Sequence, residues 1–452
     1  MNILIAGCGK IGTAVLSDLV SEGHDVTALD TDPAVLSDLS NIYDVMTVCG
    51  NVGNCEILGE AGIARSDLFI AATGSDEANL LGCFLAKRMG AAHTIARVRN
   101  PEHNERDLRF MKQQLDLSML INPEMMAAGE LCKLLKFPSA VKIETFSRLN
   151  FEMVELKLKP DSSLDGVRII DLRSRSRAKF LICVVQRGDE VFIPDGQFVL
   201  HGGDRIGITA TLTEIQKLLR EIGLMQKQCR RVMLLGGSRT AIYLARMLSE
   251  SGISVKIIEK DERLCRELCE TLPKAVIVQG DGARQELLLE EGLPSQDAFL
   301  ALTGMDEENI LISFFAASMK VPKVMSKVNR GELAAIAEQL GLDSLISPQK
   351  YVSDLVVRYA RALQNSLDSN IETLYQLMDG KAEALEFIVG SESSILGVTL
   401  RDLTLKPNIL IAGIIRNRQA IIPGGDDVIL PGDRVVVLAA DRKLRELSDI
   451  LR

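Results

Sequence analysis

The strongest constraint on this chain is that it repeats itself. Asn2-Ile-Leu-Ile-Ala-Gly7 and Asp25-Val-Thr-Ala-Leu-Asp30 return as Arg231-Val-Met-Leu-Leu-Gly236 and Ser254-Val-Lys-Ile-Ile-Glu259, with 23 residues from glycine to acid in both copies. Val48-Cys-Gly50 returns as Val278-Gln-Gly280, residues 69–77 as 299–307, and Ala96-Arg97-Val98 as Ser326-Lys327-Val328, each 230 positions on. A register held through a whole domain marks a duplication, so each copy must bury its apolar faces in the same way.

Within each copy apolar β runs alternate with helical stretches, the pattern of a parallel sheet covered on both faces. Ile121-Asn-Pro123 and Ile346-Ser-Pro348 each open an amphipathic helix, expected to reach about Phe137 and Leu363. Two further related segments follow, Ser163-Leu-Asp-Gly166 and Ser394-Ile-Leu-Gly397. Each precedes a strand pair with a proline-glycine turn (Ile193-Pro-Asp-Gly196, Ile422-Pro-Gly-Gly425) and then Gly-Asp-Arg before a short apolar strand. These signals predict small β-containing domains. The expected fold is α/β: tandem doubly wound parallel-sheet Rossmann domains at 1–140 and 226–368, each followed by a small α+β domain at 141–225 and 369–452.

At 452 residues the chain exceeds what one core supports. Its net charge of −9 argues against nonspecific nucleic-acid binding, which needs Lys and Arg on phosphates. It does not argue against a nucleotide whose phosphates are held by backbone N–H groups. Nine cysteines without a C-x-x-C pair read as reduced, buried, small apolar residues. None of His24, His93, His103 and His201 stands at zinc-ligand spacing to a cysteine, so no metal is expected. No apolar run approaches the roughly 20 residues of a membrane span. Met1-Asn-Ile-Leu-Ile-Ala-Gly7 lacks signal-peptide features, so the expected location is the cytoplasm.

Gly7-Cys8-Gly9-Lys10-Ile11-Gly12 follows a strand and opens a helix. In such a loop the first glycine makes the turn, the second admits a pyrophosphate to the backbone, and the third packs helix on strand. The phosphate then meets free N–H groups at the positive helix end. Asp30, 18 residues after Gly12, is placed to accept from ribose hydroxyls and to repel a 2′-phosphate, which favours NAD-type ligands. Thr73-Gly74-Ser75-Asp76 reads as a capping-box-like helix start. Its place at the carboxyl edge of the sheet also brings Thr73 and Gly74 to the crevice. Arg97, ending the fifth strand, reaches a phosphate or another subunit, or else is a surface cation.

The second loop, Gly236-Gly237-Ser238-Arg239-Thr240-Ala241, departs from the rule at Ser238, where backbone should approach phosphate. Arg239 stands where Lys10 lies in the first copy, Glu259 keeps the ribose acid, and Asp281 in Gly280-Asp-Gly282 is placed to address an adenosine. This site is expected to be weaker, differently selective or empty.

A dehydrogenase needs a proton donor or acceptor beside the nicotinamide. No strand-end histidine recurs in both copies, His24, His93 and His201 read as surface residues, and the P-loop, serine-elbow and zincin motifs are missing. A duplicated binding unit of this kind reads as regulation, in which a ligand shifts a domain arrangement. An NAD-dependent dehydrogenase and a nucleotide-stabilised scaffold are the competing readings.

With the repeat, the loop, Asp30, Thr73-Gly-Ser-Asp-Glu77, Ile95-Ala-Arg97-Val-Arg99 and the Gly-Asp-Arg turns in place, the whole chain resembles the TrkA family. Its members are tandem RCK (also called KTN) regulators of Trk-type potassium uptake. The resemblance implies a non-enzymatic, ring-forming protein beneath a separate membrane potassium-translocating subunit, peripheral at the inner face of the membrane. It implies NAD(H), and in relatives ATP or ADP, in the Rossmann crevices. The contacts would fall on Gly7 to Ile11, Asp30, Thr73, Gly74 and Arg97, and in the second copy on Gly236 to Thr240, Glu259, Thr303 and Lys327. Titrating a Gly9→Asp variant with NAD(H) tests the first loop: affinity should fall sharply, and unchanged affinity would show that this loop carries little of the binding.

Overall fold

A computed structural model describes residues 1–101, 105–146, 151–342, 344–365, 371–391, 393, 395–440, 444 and 446–452. His103 and Ser394 lie outside the described residues. The first Rossmann half runs β1 Asn2–Ala6, α1 Lys10–Ser21, β2 Asp25–Asp30, α2 Pro33–Ile42, β3 Met46–Cys49, α3 Cys55–Glu60, β4 Leu68–Ala71, α4 Asp76–Arg88, β5 His93–Arg97, α5 Glu105–Gln114, β6 Met119–Ile121 and α6 Pro123–Lys136. Its strands form one parallel sheet in the order β3-β2-β1-β4-β5-β6. Helices cover both faces, so β4 and all of β1 after Asn2 are buried and apolar. The strand order reverses between β1 and β4, and the carboxyl ends there open a crevice.

The first small domain comprises β7 Lys142–Phe146, β8 Phe151–Lys157, α7 Ile169–Arg175, β9 Leu181–Arg187, β10 Glu190–Phe192, β11 Arg205–Ala210 and α8 Leu212–Glu221. Its antiparallel order is β10-β9-β11-β8-β7.

The second Rossmann half runs β12 Arg231–Leu235, α9 Arg239–Glu250, β13 Ser254–Glu259, α10 Glu262–Thr271, β14 Val276–Gln279, α11 Gln285–Glu290, β15 Ala298–Ala301, α12 Asp306–Ser318, β16 Lys323–Lys327, α13 Gly331–Gln339, β17 Leu345–Ile346 and α14 Pro348–Asn365. The last sheet holds β18 Ile371–Leu377, β19 Ala382–Ile388, β20 Ile409–Arg416, β21 Gln419–Ile421 and β22 Arg434–Ala440. Both second-copy sheets repeat the strand orders of the first, β14-β13-β12-β15-β16-β17 and β18-β19-β22-β20-β21.

The four domains do not lie as beads in chain order. Residues 1–135 and 229–360 form one compact unit, and 136–228 with 361–452 form another. In the first unit, α14 of the second copy lays Val352, Val356, Val357 and Ala360 into a core with Ile11, Val15 and Leu19 of α1. Ser353 Oγ donates to Asp18 Oδ2 at 2.6 Å, and Tyr359 Oη lies 3.1 Å from His93 Nδ1. In the second unit Phe146, Phe151 and Met153 share a core with Leu377, Met378 and Ala412.

Some local expectations need correction. His24 is buried, because the turn from α1 to β2 folds it inward, and His93 is half-buried under Tyr359. Cys49, Cys55 and Cys269 are exposed, and the other six cysteines are buried. The proline-glycine segments follow β10 and β21 rather than turning the hairpins. The hairpin turns fall at Gly188, and at Asn417 and Arg418, all with positive φ, as tight two-residue connections require.

The Gly-Asp-Arg segments are ion-pair stations whose carboxylates are buried. Asp204 accepts from Arg187 Nε and Nη2 at 2.8 Å, and Arg205 pairs with Glu155 at 2.6 Å. The second copy repeats both pairs, Asp433 with Arg416 and Arg434 with Glu386. Removing one member strands a buried charge, whereas removing both does not. Arg205→Met should therefore cost about 3 kcal/mol in urea unfolding, and the Glu155→Met/Arg205→Met double variant should recover most of it.

Candidate functional site

The two outer glycines of the first loop are demanded by the chain itself. Gly7 has φ +87°, and a Cβ there would come 2.5 Å from Thr73 N. A Cβ at Gly12 would come 1.9 Å from the Gly7 carbonyl, so α1 packs on the loop only with glycine there. Gly9 differs. Its φ of −70° suits any residue, and no atom lies within 4 Å of where a Cβ would stand. Nothing in the protein asks for glycine at this position, so the open space is what a pyrophosphate against the backbone would use. α1 also lacks a side-chain cap at Gly9, which leaves its first N–H groups for an anion.

The Asp30 carboxylate stands beside this loop, accepting from Cys8 N at 2.6 Å and Asp32 N at 3.0 Å. Burial, with Asp30 adding to it, pushes the Cys8 thiol up to about 12, so Cys8 fills space as a neutral thiol. Ile11 and Thr240 turn their side chains into the core, so only their backbones can face a ligand.

Thr73 does not cap α4. Ser75 does, its hydroxyl accepting from Ala78 N at 3.1 Å. Thr73 N and Oγ1 instead donate to Asn79 Oδ1 at 2.8 and 2.7 Å, and Asn79 Nδ2 donates to the Arg97 carbonyl at 2.9 Å. The fully buried Asn79 thus ties the Thr73-Gly74 turn to the end of β5. Thr303, Asn309 and the Lys327 carbonyl repeat the arrangement. These asparagines escaped the sequence reading. Asp-Glu-x-Asn at 76–79 and 306–309 was the signal that would have found them.

Arg97 is not a surface cation, since its side chain is only 15% exposed. Nη1 donates to the Ala72 carbonyl at 3.3 Å, and Nη2 lies 4.0 Å from Glu124. Burial first, then Arg99, lowers its pKa below the ordinary arginine value, while Glu124 and Asp76 oppose. Arg99 places its guanidinium on the Gly74 carbonyl and its N–H on Asp76 Oδ2 at 2.8 Å.

The second crevice keeps the frame. Gly237 N donates to Glu259 Oε2 at 2.6 Å and Asp261 N to Oε1 at 2.9 Å. Ser238 adopts φ −62° and ψ 163°, nearly the backbone of Gly9, so serine costs no strain there. Its Oγ is buried without a hydrogen-bond partner in the space the first loop leaves open. Where Cys8 stands in the first copy, Gly237 makes room for Leu264 and Leu268 of α10. Asp281 accepts from Ala283 N at 3.0 Å and so serves its own turn.

Lys327 is half-buried, with Nζ donating to the Leu302 carbonyl at 3.3 Å. Burial lowers its pKa, Asp306 and Glu124 raise it, and Lys10 of the first loop lowers it again. Arg239 of the second loop in turn bears on Arg97. The loop cation of each copy thus acts electrostatically on the strand-end cation of the other. Among the described residues no group of His, Cys, Asp and Glu could hold a metal ion.

Residues 3–123 and 232–348 match the TrkA-N domain, and residues 153–223 and 384–452 the TrkA-C domain. The chain is 32% identical to a Trk system potassium uptake protein TrkA homolog of Archaeoglobus fulgidus, over all of both chains. It is 29% identical to the Trk system potassium uptake protein TrkA of Haemophilus influenzae, covering 98% of this chain and 96% of that one. Among solved structures it resembles the GsuK channel, with a TM-score of 0.65 and 17% identity over 97% of this chain and 77% of that one. The GsuK RCK domain gives a TM-score of 0.64 and 17% identity over 97% and 92% of the two chains. The chain belongs to the TrkA family and has the RCK fold, and the two TrkA relatives are named for potassium uptake rather than for an enzyme activity.

Ser238→Gly should reopen the second loop. Calorimetry with NAD should then show a second site gaining about tenfold in affinity, the scale of one well-made phosphate contact. An unchanged isotherm would show that Ser238 is not what sets the second site apart.

Proposed function

We propose that this member of the TrkA family is a nucleotide-binding regulatory subunit that gates a separate, membrane-embedded potassium-translocating subunit. The observation that carries the reading is Gly9, a glycine with no internal reason beside a carboxylate held on the loop backbone. Two neighbours sharing the fold are the GsuK channel bound to NAD, at a TM-score of 0.64, and GsuK bound to ADP, at 0.52. NAD(H) is accordingly the ligand of the first crevice, with ATP and ADP competing for the same loop. Gly7 to Gly12 offer backbone to the pyrophosphate, Asp30 takes the ribose, and Thr73, Gly74 and Arg97 close the phosphate end. Gly236 to Thr240, Glu259, Asp281, Thr303 and Lys327 form the weaker second site.

No helix among the described residues is long and apolar enough to cross a membrane. The proposal gives the potassium pathway to the partner and places this chain peripherally on the cytoplasmic face. Self-association into a ring is supported by exposed apolar side chains on equivalent helices of both Rossmann halves, Leu81 and Leu311 at matching positions of α4 and α12, and Phe110 on α5 with Ile336 on α13. Apolar patches of this kind mark interaction surfaces. In light scattering, a Leu81→Glu/Leu311→Glu variant should give smaller particles than the parent, and an unchanged mass would remove these helices from the interface.

The gating reading is tested by potassium flux through the reconstituted membrane partner with NAD, NADH, ATP and ADP. At least one nucleotide should change flux by about fivefold or more, the lower end of ordinary allosteric coupling. Flux indifferent to all four would refute the regulator.

A further inference from the structure

Glu124 stands in the first turn of α6, behind Asn122, whose Oδ1 accepts from Met125 N at 2.9 Å. An acid gains from the helix dipole there, but its surroundings ask for more. Arg97 Nη2 lies 4.0 Å away, too far for a hydrogen bond. Glu124 Oε2 and Arg97 Nε are both buried without hydrogen-bond partners. Two opposite charges are thus held together in the crevice without being satisfied by each other. A buried guanidinium with an unused N–H takes any oxygen acceptor that arrives.

We propose that Glu124 is an internal counter-ion that competes with the ligand's phosphate for Arg97 and so sets the affinity of the first crevice. The inference rests on the nucleotide reading above. Without ligand, Glu124 balances the Arg97 charge. An arriving phosphate takes the guanidinium, and the freed carboxylate turns its charge to Lys327 of the second copy, on which it already bears. The first turn of α6 is also tied to the second loop's helix, because Asn122 Nδ2 donates to Tyr243 Oη at 2.8 Å and Tyr243 donates to the Arg99 carbonyl at 3.2 Å. The second copy has Gln349 at the matching position, so its crevice has no such competitor.

The test is calorimetric titration of the full chain with ADP, NAD and adenosine. Glu124→Gln should bind ADP and NAD about tenfold more tightly, since a site engaged in a competing state binds in proportion to the fraction left free. Adenosine, without phosphate, should bind the two proteins alike. Glu124→Asp, which draws the carboxylate back by a methylene, should give a smaller gain. The gain should vanish in an Arg97→Gln background. Unchanged or weaker ADP binding by both Glu124 variants, or a gain that persists without Arg97, would overturn the counter-ion. A parent protein that binds neither ADP nor NAD would remove the nucleotide reading and this inference with it.

Discussion

Both crevices hang on a carboxylate that accepts from the backbone of the loop it faces. Cys8 N donates to Asp30 and Gly237 N to Glu259, each at 2.6 Å. Hydrogen bonds to a charged acceptor are worth about 1.5–3 kcal/mol, roughly twice the neutral kind. This one fixes the end of β2 or β13 against the turn that opens α1 or α9. The glycine requirements follow from that closeness, with Gly7 and Gly236 pressed against Thr73 and Thr303. Because the anchor is backbone to side chain, the second loop can exchange Cys8 for Gly237 and Gly9 for Ser238 without losing its shape.

That tolerance turns a duplication into a pair of unlike sites. One crevice leaves the space beside Gly9 open, and the other places at the matching position a hydroxyl that finds no partner. The two remain in electrostatic reach, since Lys10 bears on Lys327 and Arg239 on Arg97. A charge arriving in either crevice alters the field in the other.

Much of this was legible in the letters, because repetition doubles every signal. The two parallel sheets, the glycine loops and the strand-end acids Asp30 and Glu259 all follow from spacing at 229 or 230 positions. Local rules failed where tertiary contacts won. Thr73 looked like a cap, yet the buried Asn79 claims its hydroxyl and leaves the cap to Ser75. Arg97 offered three roles in the sequence, and its burial removes the surface cation among them. Glu124 was invisible because Gln349 breaks the repeat there. The pairing of like domains, with α14 packed on the opposite half, leaves no mark in a periodic pattern because Val352, Val356 and Val357 look the same whichever core they enter.

On the proposed function, each chain carries one well-built nucleotide site and one divergent site. Native mass spectrometry across a range of NAD concentrations counts bound nucleotides directly. A population with one NAD per chain should dominate before any second is bound. Two sites filling together, or none filling at millimolar NAD, would contradict it.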